Sequence, residues 1–250
     1  MVYLKSDAEI EVMTEGGKRL KAVVKELMPL IKEGVTTKEI DEKAEELIKE
    51  QGGRSSFMTV SGYKFSTCTP INEQIVHTKP SNRVLKNGDV LTLDIGMLYK
   101  GWHTDHAITK VIGGDSKDKN INKFLKIGEE TLYQAIKQAK IGNRLGNISE
   151  VIEKAITGNG YFIIKELTGH GIGRKLHEDP YVFGFVDKPV NKSLLIKKGL
   201  VIAIEIIYAM GTDSMIYEAD NWSIITEDRS VSACFEHTIA VTDKGPVILT

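Results

Sequence analysis

Apolar positions recur at three- and four-residue intervals in the first part of the chain. Ile10, Met13, Leu20, Val23, Val24, Leu27, Leu30 and Ile31 fall on one helical face that runs as far as Gly34, the period of an amphipathic helix. Ser6-Asp7-Ala8-Glu9 supplies its start, because a serine hydroxyl can accept the N–H three residues on while the glutamate reaches back. Thr36-Thr37-Lys38-Glu39 repeats the device, and Ile40, Ala44, Leu47 and Ile48 mark a second helix stopped by Gly52-Gly53. The period then shortens. Ser55–Val60 and Phe65–Thr69 read as short strands. Val90–Met97 and Trp102–Ile112 read as the arms of a β-hairpin turning near Tyr99-Lys100-Gly101. Each arm carries one aspartate among β-formers, Asp94 and Asp105, and this turn sets them nearly opposite, about 5 Å apart as cross-strand neighbours are.

The order then recurs. Asn122–Lys140 and Ile148–Ile156 have helical spacing, and Tyr161–Glu166, Leu200–Ala209 and Ala233–Val241 are strand-like. Placing Gly34 on Gly142 also aligns Ile40 with Ile148, Glu42 with Glu150, Glu45 with Glu153, Ile48 with Ile156 and Gly52 with Gly160. Any two amphipathic helices ended by glycine align in part, but the strands after each pair favour a duplicated unit of two helices and then strands. The expectation is one α+β domain over residues 1–250 with internal pseudo-symmetry, its halves about 1–113 and 114–250. Two such halves facing each other would set their carboxylates across a shared cleft.

Composition narrows the partners. The 250 residues carry a net charge of −1, which gives no electrostatic reason to expect nucleic acid or an anionic membrane surface. Cys68 and Cys234 lack a paired metal spacing and suit free thiols in a reducing compartment. MVYLKSDAEIEVM shows no basic region followed by an apolar run, so no signal peptide is visible. The longest apolar run, Leu200–Met210, is too short to cross a bilayer and contains a glutamate. A cytoplasmic protein is expected, and nothing in the pattern requires more than a monomer.

That run, GLVIAIEIIYAM, is apolar on both strand faces around Glu205, as a central buried strand would be. A buried carboxylate is costly unless neutralised, paired or bound to metal. No basic residue sits within the run to form an ordinary salt bridge. ACFEHTIAV repeats the theme with Glu236. In TGHGIGRKLHEDP, His170 lies in a glycine-rich turn where a ligand can approach closely, with His177 seven residues on. Each feature alone has a plain reading: a polar face, a loop histidine, a neutralised acid. Together, Asp94, Asp105, His170, Glu205 and Glu236 suit divalent ions such as manganese, iron, cobalt or zinc, held as a pair by carboxylates.

These residues, with INEQIVH (Ile71–His77), LKNGDVLTLDIGMLYKGWHTD (Leu85–Asp105), GHGIGRKLHEDP (Gly169–Pro180), IAIE (Ile202–Glu205) and SACFEHTIAVT (Ser232–Thr242), resemble the type I methionine aminopeptidases of bacterial type. The resemblance runs from about Ser6 to the final ILT. It implies the pita-bread (creatinase/aminopeptidase-like) fold, pseudo-two-fold ααβ units around a curved antiparallel sheet. It implies two divalent metal ions per chain, with Asp105 and Glu236 bridging, Asp94 on one ion, and His170 with Glu205 on the other. It implies that His77, His177 and Glu205 act in catalysis, with His77 and His177 contacting substrate. Tyr63, Cys68 and Trp222 would line the pocket for the methionine side chain. The implied reaction is metal-assisted removal of the initiator methionine from nascent chains with a small second residue, with transient ribosome association compatible with that role.

The sequence departs from the family's usual pattern at Ile206, where proline is common, and at Thr78-Lys79, where glycine and an apolar residue follow the first histidine. Val76 stands where cysteine is frequent, Leu176 replaces an aromatic, and His106 after Asp105 is unusual. These positions bear on substrate preference. Two alternatives share the fold: a Xaa-Pro peptidase or other aminopeptidase, and a binding protein without catalysis. The first normally carries a separate amino-terminal domain, and the second usually loses metal ligands.

Overall fold

The structure, a computed structural model, describes residues 2–250. Helices α1 (Asp7–Leu27) and α2 (Thr37–Glu50) open the chain. Both expected capping boxes form: Ser6 with Glu9, and Thr36 with Glu39. Helix α1 ends at Leu27 rather than near Gly34. The reason is Pro29, which has no N–H to donate to the carbonyl four residues back and whose ring crowds it, so the helical bonding stops at Met28, the C-cap at φ −54° and ψ −41°. Leu30 and Ile31 continue the apolar stripe in a turn closed by Leu30 N–H to Leu27 O at 2.9 Å.

Strands β1 (Arg54–Ser55), β2 (Thr67–Cys68) and β3 (Gln74–Val76) follow, then the hairpin β4 (Val90–Tyr99) and β5 (Trp102–Val111). Ser55–Val60, expected as a strand, is mostly a 3₁₀ turn over Phe57–Thr59. That turn folds the Phe57 ring edge-on to Tyr63 at 6.4 Å instead of extending it. The second helix pair is α3 (Lys119–Ile136) and α4 (Leu145–Gly158). After it come β6 (Phe162–Ile163), β7 (Gly169–Gly171), β8 (Glu178–Val182), β9 (Val201–Ala209), β10 (Met215–Tyr217), β11 (Ile224–Thr226), β12 (Ser232–Thr242) and β13 (Gly245–Ile248).

Ten strands form one antiparallel sheet in the order β1-β4-β5-β12-β9-β7-β8, with β2 on β4, β6 on β9 and β13 on β12. A small sheet, β10-β11-β3, stands beside it. Alternation along the long strands divides the large sheet into two faces. Leu91, Leu93, Ile95 and Met97 pack under α1 and α2. Ile202, Ile204, Ile206, Tyr208, Phe235 and Ile239 pack under α3 and α4. Burying such side chains fully contributes about 1.5–3 kcal/mol each, which anchors the register and leaves the intervening residues on the opposite face. Tyr208 closes the second core with its hydroxyl on the Phe124 carbonyl at 2.5 Å. Among the described residues no helix is long and apolar enough to cross a membrane.

Candidate metal centre

The face turned away from the helices carries the acids. Asp94 pairs with Ala107, Ala107 with Glu236, and Glu236 with Glu205. One row therefore crosses β4, β5, β12 and β9 as Asp94, Ala107, Glu236 and Glu205. Asp105 lies two residues from Ala107 and opposite Gly96, while His170 lies opposite Ala203, two residues from Glu205. Asp94 and Asp105 are thus diagonal neighbours, not opposite as the hairpin suggests. The turn residues are Lys100 and Gly101, both left-handed at φ 48° and 80°, as a tight two-residue hairpin turn requires, and this fixes the offset. Nor do the carboxylates of the two halves meet across a cleft: they stand side by side on one sheet. The glycine opposite Asp105 makes room for it. A Cβ at Gly96 would lie 3.1 Å from Asp105 Oδ1 and 2.8 Å from Ser56 Cβ.

His170 sits on strand β7, not in a turn. The flanking glycines allow that strand to be crowded, since a Cβ at Gly171 would meet the Asp179 carbonyl oxygen at 2.1 Å. His170 Nδ1 lies 2.9 Å from the Gly171 carbonyl. A carbonyl only accepts, so Nδ1 carries the proton and Nε2 presents its lone pair. That Nε2 is 3.9 Å from Glu205 Oε1. One ligand atom each from Asp105, His170 and Glu236 lies within 4.8 Å of the others. Thr238 ties the row together: its Oγ1 accepts the Asp105 N–H at 2.8 Å and donates to the Asp105 carbonyl at 2.9 Å.

Among the described residues no lysine or arginine forms an ion pair with any of the four acids. Burial pushes Asp94 up to about 7. Burial and the Asp94 charge push Glu205 up to about 8. Asp105 and Glu236 go well above the usual carboxylate range, through burial first and then through the other acids. His170 is pushed down to about 4 by burial and stays neutral at pH 7. Four crowded acids and one neutral imidazole form an oxygen-rich donor set with no protein cation to balance it. Such a set fits divalent ions, and the lone pair fixed on His170 Nε2 fits the role of the single nitrogen ligand.

Above the row lies a cavity of about 200 Å³ lined by these five residues together with Tyr63, Cys68, His77, His177 and Trp222. Every candidate residue named from the sequence therefore borders one space. Tyr63 donates to the Thr67 carbonyl at 2.8 Å, and its hydroxyl lies 3.2 Å from Cys68 Sγ. Its ring is 5.3 Å from that of Trp222. His77 and His177 stand exposed at the mouth. The His177 ring meets His170 edge-on at 4.5 Å. His77 has φ +57°, an uncommon conformation for a side chain of this size. Leu167, Thr168, Ile207 and Cys234 also line the cavity without a sequence signal of their own. Ala107, the small residue that leaves a gap in the row, becomes visible only once the register is known.

A model of metallopeptidase family M24 matches residues 11–243. Methionine aminopeptidase 1 of Bacillus subtilis (strain 168) is 40% identical over 250 residues, covering 100% of this chain and 99% of that protein. The methionine aminopeptidase of Clostridium perfringens is 36% identical over 250 residues, again covering 100% of this chain and 99% of the relative. Among solved structures, methionine aminopeptidase from Thermotoga maritima superposes with a TM-score of 0.95 at 33% identity, covering 100% of this chain and 99% of that one. The prolidase of Pyrococcus furiosus shares the fold at a TM-score of 0.79 and 23% identity, covering 99% of this chain and 65% of that one.

Proposed function

The chain belongs to metallopeptidase family M24, and on that premise we propose that it removes the initiator methionine from nascent polypeptides whose second residue is small. The full-length likeness to methionine aminopeptidases supports a metallo-aminopeptidase of this kind. The observation that carries the reading is the row of buried acids with His170, unbalanced by any basic side chain, on the floor of a largely apolar pocket. Two divalent ions per chain, drawn from cobalt, manganese, iron or zinc, would be held by Asp94, Asp105, His170, Glu205 and Glu236. Asp105 and Glu236 would be shared, with Asp94 serving one ion and His170 with Glu205 the other. When bound, such ions supply Lewis acidity, which acidifies water and polarises a peptide carbonyl.

The chain's own residues do the rest. The methionine side chain enters between Tyr63, Cys68 and Trp222, where aromatic faces and a thiol suit a polarisable thioether. Glu205 takes a proton from the attacking water as its oxygen adds to the first carbonyl carbon. His177, at the mouth beside His170, hydrogen-bonds the substrate carbonyl oxygen as negative charge builds there. His77 stands by the scissile nitrogen, which takes up a proton as the C–N bond breaks. The products are free methionine and a polypeptide shorter by one residue.

The partners of this reading are nascent amino termini beginning with methionine, met in the cytoplasm by a monomer that associates with the ribosome only transiently. Met-Ala-Ser and Ala-Pro peptides, assayed with added Mn²⁺ or Co²⁺ alongside elemental analysis, test it. Release of methionine from the first peptide is expected. Cleavage of the proline peptide alone would overturn the reading in favour of a Xaa-Pro peptidase, and metal binding with cleavage of neither would leave a non-catalytic binding protein.

A further inference from the structure

His177 is carried by the turn between β7 and β8, GIGRKLHE over Gly171–Glu178. Its ring is exposed and meets His170 edge-on, so its place over the metal row is set by the backbone that carries it. The first half of the turn is tied to the large sheet. The Ile172 N–H donates to the Val201 carbonyl at 3.3 Å, and the Gly173 carbonyl accepts from the His103 N–H at 2.8 Å. Arg174 lies 3.8 Å over the Trp102 ring. Just before His177, Leu176 is buried with Trp102 and Ile172. Just after it, Glu178 Oε1 accepts the Lys175 N–H at 3.0 Å, which closes a ring of backbone around Leu176 and His177. Glu178 Oε2 accepts from Lys5 Nζ at 2.8 Å.

Lys5 reaches this glutamate from the segment before α1, 173 residues away along the chain. The Lys5 side chain is 1% exposed and that of Glu178 15%, although lysine is rarely buried. Taking two charges out of water offsets much of their attraction, so stability alone explains such a pair poorly. The surrounding backbone makes room for it. A Cβ at Gly173 would lie 2.6 Å from Lys5 Cε and 2.9 Å from each Glu178 oxygen. Lys5 is itself fixed by its N–H, which donates to the Gly199 carbonyl at 2.7 Å. Gly199 has φ +85°, and a Cβ there would lie 2.5 Å from the Lys5 carbonyl oxygen. Two glycines from different segments therefore admit one lysine to the turn that carries His177.

We propose that Lys5 is a positioning residue, which through Glu178 holds His177 where it reaches the substrate carbonyl. The inference rests on the reading of His177 given above. The described residues that line the catalytic cavity do not include Lys5, so its effect on the reaction runs through the turn. A donor that meets the carbonyl oxygen most strongly as charge builds there contributes to kcat rather than to KM. Misplacing such a group by about 1 Å costs up to about a hundredfold.

Met-Ala-Ser hydrolysis by metal-loaded Lys5→Met, His177→Ala and the combination of the two tests the proposal. Methionine keeps the length of the lysine stem and removes the ammonium. Lys5→Met should lower kcat roughly 10–100-fold with KM within about threefold of the parent. Its bound metal, by elemental analysis, should match the parent's. In the His177→Ala background the same substitution should change kcat by less than about twofold, because the group it acts on is gone. Lys5→Met leaves the Glu178 charge buried and unpaired and should lower Tm. Lys5→Met with Glu178→Gln removes both charges and should recover Tm while kcat stays low. A merely structural pair would recover both. Should Lys5→Met not fold, this charge-free variant carries the same comparison. Nuclear magnetic resonance of the metal-free proteins reads the position directly. The His177 ring signals should move or broaden in Lys5→Met, and those of His237, on the opposite face of the sheet, should not. An unchanged kcat in Lys5→Met overturns the proposal. So does an equal loss with and without His177, or recovery of kcat in the charge-free variant. Near-normal turnover in His177→Ala would instead overturn the reading of His177, and the proposal with it.

Discussion

Stripping metal from this protein should make it lose stability as the pH rises from 7 to 9. The cause lies in the acid row. In the folded chain burial holds Asp94 near 7 and Glu205 near 8, while Asp105 and Glu236 lie well above the usual range. In the unfolded chain all four ionise near 4. A folded pKa raised above the unfolded one means the native state binds more protons, so its contribution to stability is fully present below the unfolded pKa and is lost as pH rises through the folded one. At pH 7 the metal-free fold holds about half a proton on Asp94 and nearly one on Glu205; by pH 9 it has released most of both. At about 1.4 kcal/mol per proton per pH unit, these two acids alone cost about 2 kcal/mol over that window. For a chain of 250 residues this corresponds to a fall of roughly 4–8 °C in Tm. The histidines His77, His103, His106, His170, His177 and His237 are all held below their usual range, by burial first. Their contribution has the opposite sign, but it is gained as pH rises through about 6.5, mostly before this window opens. Divalent ions balance the acids, so the metal-loaded protein should decline less; the buried Cys68 and Cys234 thiols, also pushed up by burial, weaken both forms alike as the unfolded thiols ionise. Thermal melts in matched buffers at pH 7, 8 and 9, with and without a chelator, measure the difference. A chelated protein whose Tm holds steady or climbs across that range, with metal loss verified by elemental analysis, would refute the argument that these acids are protonated in the metal-free fold.

Three further outcomes follow from the row. Asp105→Asn should lower the bound-metal stoichiometry at both positions and cut turnover by at least a hundredfold, while Asp94→Asn chiefly affects one; equal stoichiometries by elemental analysis would contradict the assignment of Asp105 as shared. Glu205→Gln should lose most Met-Ala-Ser hydrolysis and bind metal more weakly, and near-normal turnover would mean that Glu205 is neither ligand nor proton acceptor. Gly96→Ala should destabilise the protein by about 1–3 kcal/mol in urea titration, the usual cost of overpacking, because the new methyl lies 2.8 Å from Ser56 Cβ and 3.1 Å from Asp105 Oδ1. It should also weaken metal binding, and an alanine variant as stable as the parent would show that the site has slack there.

How much of this was written in the sequence depends on how local each determinant is. The helix starts were legible because Ser6, Glu9, Thr36 and Glu39 act within one turn of themselves. The hairpin was legible because two β-rich arms flank a glycine turn. The stop of α1 was also encoded, in Pro29, but the apolar spacing through Leu30 and Ile31 masks it: the turn buries Ile31 as a helix would, while Leu30 is left exposed. What the chain does not reveal locally is register. Whether Asp94 faces Asp105 or lies diagonal to it depends on which two residues make the turn, and a shift of one residue would send an aspartate to the opposite face. The pairing of Glu205 with Glu236 joins strands separated by β10, β11 and their short connections, and no spacing along the chain reports it. The acids could still be singled out from sequence, because a carboxylate in an otherwise apolar strand is costly wherever its neighbours turn out to be. Their arrangement could not, because it follows from the packing of helices on the far side of the sheet, which fixes which residue of each strand faces the site. Chemistry was therefore legible one residue at a time, whereas the shape of the site comes from contacts that only folding brings together. The same holds for Lys5 and Glu178: neither is unusual as a letter in the sequence, and they become notable only when paired with little access to water.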